Sequence, residues 1–127
     1  MRVFKTKWFT RHAAKEGIDD AKLIEAVRLI EKGLIDADYG GGMIKQRIAR
    51  DGEGKSGGYR SIIAFKSDTR SIFFYFFPKN KKDNLLKDEV KEFREATAIY
   101  LGLTDAQITL ALEKQELVEV HYNDKEI

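Results

Sequence analysis

The spacing of apolar positions changes twice along this chain, dividing it into three stretches. Near the start, "RVFKTKWF" places Val3 and Phe4 in a short strand that runs into a helix bearing Trp8, Phe9 and His12. After Gly17, the residues Leu23, Ile24, Val27 and Ile30 recur at three- and four-residue spacing, which predicts a second helix with one apolar stripe. Asp19 or Asp20 stands where that helix needs a cap, and Gly33 where it should end. Between Tyr39 and Pro78 the period shortens to two. In "MIKQRIAR", Ile44, Gln46 and Ile48 take one face of a strand, while Lys45, Arg47 and Ala49 take the other. "YRSIIAF" predicts a second strand, and "SIFFYFF", apolar on both faces, a third strand covered from both sides. "DGEGKSGGYR" supplies the first turn and "KSDTR" the second, and Pro78 closes the third strand because it cannot donate to the ladder. From Leu85 helical spacing returns. Val90, Phe93, Ala96 or Thr97, and Tyr100 line a helix stopped at Gly102; Thr104 opens another through Ile108 and Leu112; "ELVEVHY" alternates as a closing strand. The first two helices are expected to form a hairpin packed on the sheet.

Composition narrows the classes without naming one. At 127 residues, 43% hydrophobic and 35% charged, the chain suits one globular domain. It has no apolar run near twenty residues, and its first residues lack the apolar core of a secretory signal, so a cytoplasmic protein off the membrane is expected. With no cysteine, disulfides, thiolate zinc sites and cysteine nucleophiles are excluded. The net charge of +2 conceals an asymmetry: from Met43 to Lys82 there are ten bases against three acids, and from Asp83 onward eleven acids against five bases. A basic middle beside an acidic end points to one surface that meets a polyanion.

The run GKS in "DGEGKSGGYR" invites comparison with a nucleotide phosphate loop. Such a loop needs a glycine five positions before the glycine of GKS, where this chain has Ala49, and a helix after it, where this chain has the strand pattern "GGYRSIIAF". A long hairpin turn with Arg50 and Lys55 near its tip fits better. The surrounding cations form the stronger signal. Lys45 and Arg47 share a strand face, Arg60 begins the neighbouring antiparallel strand, and "PKNKK" leaves the third, an arrangement able to gather on one concave side and grip phosphodiesters. Tyr39, Tyr59 and Phe76 are candidates for stacking on unpaired bases, with core packing the competing role, favoured for Phe76. His12 is expected at the surface and His121 in the acidic tail. No HExxH, EF-hand loop or paired acids suggest a metal, and no cofactor is implied.

The runs "GGGMIKQRIARDGEGKSGGYRSIIAF" and "IFFYFFPKNKKDNL" closely resemble the RelE/ParE superfamily, specifically the RelE/HigB-like group of bacterial type II toxin-antitoxin systems, over nearly the whole chain. The resemblance implies an α+β fold, a small antiparallel sheet flanked by an N-terminal helix pair and C-terminal helices. Residues 1–103 would form the toxin domain and 104–127 a helical, acidic extension of it. It implies a toxin paired with a cognate antitoxin, commonly a metal-independent endoribonuclease that cuts mRNA on the ribosome. Under it, Lys45, Arg47, Arg60 and Lys79 are the catalytic candidates, and Arg50, Lys55, Tyr59, Asn80, Lys81, Lys82 and Asn84 the RNA-binding ones. The chain departs from the pattern where many members carry an arginine and then a tyrosine or histidine, since the aligned positions hold Asn80 and Leu86. A non-nucleolytic toxin of the same fold, such as a gyrase poison, and a nucleic-acid-binding module without toxicity are the competing functions.

Overall fold

A computed structural model describes residues 1–50, 54–80 and 84–122, of which 54–57 by their backbone alone. Six strands and four helices follow in the order β1 (Arg2–Thr6), α1 (Lys7–Glu16), α2 (Asp20–Glu31), β2 (Ala37–Asp38), β3 (Met43–Arg50), β4 (Gly54–Lys66), β5 (Arg70–Pro78), α3 (Lys87–Gly102), α4 (Asp105–Glu113) and β6 (Leu117–Val120). They build one sheet of order β2-β3-β4-β5-β1-β6. Neighbours are antiparallel except β1 and β5, which run parallel because the chain crosses over through the helix hairpin and three strands before returning beside its first strand. The GKS run lies within β4 and continues as strand, not into a helix as a phosphate loop does.

Local chemistry sets the helix limits. The Thr6 hydroxyl accepts from the Phe9 amide at 3.2 Å and starts α1, and Asp19 accepts from the Lys22 amide at 3.1 Å and starts α2. Thr104 and Gln107 close a reciprocal capping box on α4, each side chain taking the other's backbone amide at 3.1 and 2.8 Å. At the junction of α3 and α4, Arg70 donates to the Tyr100 and Leu103 carbonyls at 3.1 and 2.8 Å, satisfying carbonyls that the end of α3 leaves open.

The sheet separates two apolar layers. On one face Val3, Ile44, Ile48, Tyr59, Ile63, Phe73 and Phe76 meet Phe9, Leu23, Val27 and Ile30 of the helix hairpin. On the other, Phe4, Met43, Ile62, Ala64, Ile72 and Phe77 meet Ile108 and Leu117, with Phe93 and Tyr100 of α3 packed alongside. A bulge serves the second layer. Ile62 pairs with Tyr75 while Ile63 pairs with Phe73, so Phe74 is the extra residue and both Phe74 and Tyr75 turn toward α3. Their rings lie 5.6 and 4.8 Å from that of Phe93, centroid to centroid. β6 and α4, from the segment after residue 103, place Leu117 and Ile108 in this layer, and β6 pairs with β1.

Two local features yield tests. The pairing of β3 with β4 shifts between Ile48 and Arg50, bringing the backbones so close that a Cβ on Gly58 would strike the Ile48 carbonyl oxygen and come within 2.8 Å of the Arg50 nitrogen. Gly58→Ala is therefore expected to cost about 1–3 kcal/mol by overpacking, read from urea unfolding. At the other edge, Arg2 grips Glu119 with two bonds of 3.0 Å. Hydrogen bonding to Arg2 holds the Glu119 carboxyl below its ordinary range, and the same bond raises Arg2. Because the folded value is the lower one, the pair stabilises the fold above the ordinary carboxylate pKa of about 4.3 and loses that contribution as pH falls through the lowered value. Glu119→Gln should reduce stability at neutral pH by at most about 1 kcal/mol, Arg2 being half exposed, and should match the parent in acid below the carboxylate range.

Candidate functional site

The register of β3 on β4 sets Arg47 opposite Arg60 and Lys45 opposite Ile62, so the three cations share the face that carries α3. They converge on an acid that strand periodicity gives no reason to notice. Lys45 Nζ lies 3.5 Å from Asp36 Oδ2, Arg60 Nε 3.6 Å from the same oxygen, and Arg47 Nε 3.1 Å from Asp36 Oδ1. The side chains of Asp36, Lys45 and Arg60 are only 12%, 10% and 5% exposed, whereas that of Arg47 is 51% exposed. Among the described residues these three cations meet one carboxylate and outnumber it. In partly buried surroundings they project a stronger field than the same charges spread over solvent.

Asp36 belongs to the stretch between α2 and β2, and Gln46 of β3 fixes that stretch. The Gln46 amide nitrogen donates to the Leu34 carbonyl at 2.9 Å, and its oxygen accepts from the Asp36 amide at 3.0 Å. Gln46 is fully enclosed, pointing to the hairpin side between two cations that point the other way. Among the described residues Asp36 Oδ2 has no hydrogen-bond donor within reach and is closed off from solvent, so its charge is met by the ionic contacts alone.

A second polar group closes the site from the side of α3. The Asn84 side-chain oxygen accepts from Lys45 Nζ at 3.2 Å, from the Tyr39 hydroxyl at 3.0 Å and from the Leu85 amide at 3.0 Å. Arg94 of α3 donates to the Tyr39 carbonyl at 2.6 Å, and Glu89 accepts from the Leu86 amide at 2.9 Å at the start of the same helix. Burial and then the nearby Asp36 carboxylate raise the Tyr39 pKa, so its phenol keeps its proton and donates.

The other sequence candidates divide. Lys79 is half-buried in the turn after β5, its amide donating to the Gly58 carbonyl at 3.0 Å, two residues beyond the Phe77 that pairs with Arg60. Asn80 is exposed in the same turn. Arg50 is not brought to the cluster; its guanidinium carbon lies 5.9 Å from the ring centre of Tyr59, on the hairpin side. Tyr59 and Phe76 are core residues, 2% and 6% exposed and edge to face at 5.5 Å, so neither ring is open to a base. The alternation that sets Tyr59 opposite Ile48 carries it inward. Lys81 and Lys82 and the side chain of Lys55 lie outside the described residues. His12 stacks on Trp8 at 4.1 Å in α1, its ring nitrogen 2.8 Å from the Trp8 carbonyl oxygen. His121 follows β6, three strands from β4, roughly 14 Å across the sheet. Among the described residues no group of three or more metal-binding side chains gathers, and no helix is long and apolar enough to cross a membrane.

Asp36 and Tyr39 are the residues to which the sequence pattern assigns no such roles. Asp36 is one of two acids, with Asp38, before the glycine run, and Tyr39 stands out in the sequence as a stacking ring rather than as a hydroxyl. The spacing of Asp36 and Gln46 across the turn into β3 is the one sequence signal available, and it acquires meaning only with the strand pairing.

No curated protein matches the sequence. The family model described as the RelE toxin of the RelE/RelB toxin-antitoxin system does match, over residues 1–120, a span that includes the helix hairpin, the cationic strands, the α3–α4 layer and β6. On that match, this chain belongs to the RelE toxin family.

Proposed function

We propose that this RelE-family toxin binds single-stranded RNA on the α3-bearing face of the sheet and cleaves it without a metal, with mRNA on the ribosome as its substrate. Family membership itself brings a cognate antitoxin as partner. The observation that carries the cleavage reading is the convergence of Lys45, Arg47 and Arg60 on one carboxylate beside a protonated tyrosine.

In the proposed reaction the ribose 2′-hydroxyl gives up its proton to solvent water and its oxygen attacks the adjacent phosphorus. A P–O2′ bond forms, the P–O5′ bond breaks, and the products are a 2′,3′-cyclic phosphate and a 5′-hydroxyl. The added charge on the phosphorane is where fixed cations contribute most. Arg47, the half-exposed member, meets the phosphate, with Lys45 and Arg60 behind it. The Tyr39 phenol supplies a proton to the leaving 5′-oxygen, filling the place that Asn80 and Leu86 leave without an acid. Asn84 holds that phenol and the Lys45 ammonium on one oxygen.

One observation favours a second reading, a toxin that acts without cutting RNA: Lys45 and Arg60 are largely enclosed. Inducible expression with mapping of transcript 5′ ends separates the two. New 5′ ends at arrest support cleavage, and intact transcripts with arrest leave the non-nucleolytic reading standing.

Arg47→Ala should relieve the arrest, and it should lower the slope of log affinity for single-stranded RNA against log salt by about 0.7, the change that follows when one fewer phosphate is neutralised. In that variant Lys45 and Arg60 still face the Asp36 carboxylate, and an unchanged melting temperature separates lost binding from lost folding. Tyr39→Phe should keep RNA affinity within about twofold and slow cleavage by about 10²-fold or more, the usual contribution of a positioned acid. Equal toxicity and cleavage in both variants would place the site elsewhere.

A further inference from the structure

We propose that Asp36 is the positioning residue of this site: its carboxylate sets the directions of the Lys45, Arg47 and Arg60 side chains and so governs turnover on a bound phosphodiester that it never touches. The consequence for turnover rests on the RNA-cleavage reading above; the geometry does not.

The burial decides the kind of role. Asp36 Oδ2 is closed off from solvent, so a substrate cannot reach it, while Lys45 and Arg60 lie within 3.6 Å of it on the inner side. Three long cationic side chains drawn from two adjacent strands repel one another, and each has many rotamers open to it. A carboxylate between them offsets the repulsion and selects, for each, the rotamer that points at it. Arg47 is bound to the Asp36 carboxylate through a charge-assisted hydrogen bond of 3.1 Å, the shortest of the three cation contacts, although half its side chain is open to water.

The placement of Asp36 is itself determined by β3. Gln46, between Lys45 and Arg47 in sequence, reaches over the sheet edge to bind the Leu34 carbonyl and the Asp36 amide. One strand thus carries two of the cations on one face and, on the other, the peg that fixes their counter-charge. A shift of the 34–36 stretch would move all three cations together.

This role has a signature that plain structural support lacks. Removing the negative charge raises the positive excess of the cluster, so RNA binding should hold or tighten, while loss of alignment should slow the chemical step by on the order of a hundredfold. Binding and turnover move in opposite directions.

The experiment compares the parent with Asp36→Asn and Asp36→Glu by three measurements: thermal unfolding, affinity and single-turnover cleavage of a short single-stranded RNA, and hydrogen exchange of the Arg47 Nε–H followed by nitrogen-15 NMR on the free protein. In Asp36→Asn the Kd should be unchanged or lower, cleavage about a hundredfold slower, and Arg47 Nε–H exchange about tenfold faster or more. Asp36→Glu, which restores the charge one methylene away, should recover most of the exchange protection and part of the rate. If Asp36→Asn does not fold, the double variant Asp36→Asn/Lys45→Met, which keeps the net charge of the cluster, takes its place and the Arg47 exchange decides. The proposal is overturned if Asp36→Asn leaves exchange at the parent rate, if it cleaves within about threefold of the parent, or if affinity and melting temperature fall together with the rate. Should the parent cut no RNA at all, the cleavage reading fails by itself, and the exchange measurement still decides whether Asp36 orders the cations.

Discussion

A buried carboxylate has to be compensated, and in this protein the compensation is shared among three side chains. Asp36 meets Lys45, Arg47 and Arg60 within 3.6 Å, each from a strand position fixed by backbone pairing. Removing one partner from such a cluster leaves a charge in low dielectric, and that penalty, rather than the net worth of the ion pairs, keeps the members together. The arrangement differs from a surface patch, where lysines and arginines wander in solvent and contribute mainly through their number. Here the directions of the charges are specified, which is what stabilising a phosphorane requires and what general attraction to a polyanion does not.

The rest of the fold positions that cluster. The helix hairpin covers one face of the sheet with aliphatic and aromatic side chains, leaving Gln46 as its enclosed polar member on β3. On the other face α3 and α4 cover only part of the surface. The bulge in β5 turns Phe74 and Tyr75 together toward Phe93 and so anchors α3, and Arg70 binds the carbonyls at the α3–α4 junction. With α3 held there, Asn84 just before it reaches Lys45 and Tyr39, and Arg94 within it reaches the Tyr39 carbonyl. An aromatic packing event some distance from the cations thereby decides which polar groups surround them.

Much of this architecture was legible from period and punctuation. The stripe through Leu23, Ile24, Val27 and Ile30 and the alternation in "MIKQRIAR" are local patterns, and the helices and strands follow them closely. The inward face of Tyr59 was also written there, since it stands opposite Ile48 once β3 and β4 pair, although its place in the "GGYR" run suggests binding instead. β2, two residues long and lacking any alternation of its own, was not legible, nor was the parallel pairing of β1 with β5, which joins residues almost seventy apart. Gly58 shows how a motif can hide a structural cause: the glycine is needed because two backbones meet, and sequence displays only its presence.

By itself the sequence determined which side chains share a strand face, because successive residues in an extended chain must point to opposite sides, and it therefore established that Lys45 and Arg47 lie on one side and Gln46 on the other. Their counter-charge was settled only by tertiary structure. Asp36 lies outside any periodic element, and its carboxylate arrives among the cations through a side-chain amide that spans ten residues and a turn. The Tyr39 hydroxyl likewise gains its partner from a residue forty-five positions away. Contacts of that range depend on how layers pack, and packing is a property of the whole folded chain that no local pattern of residues contains.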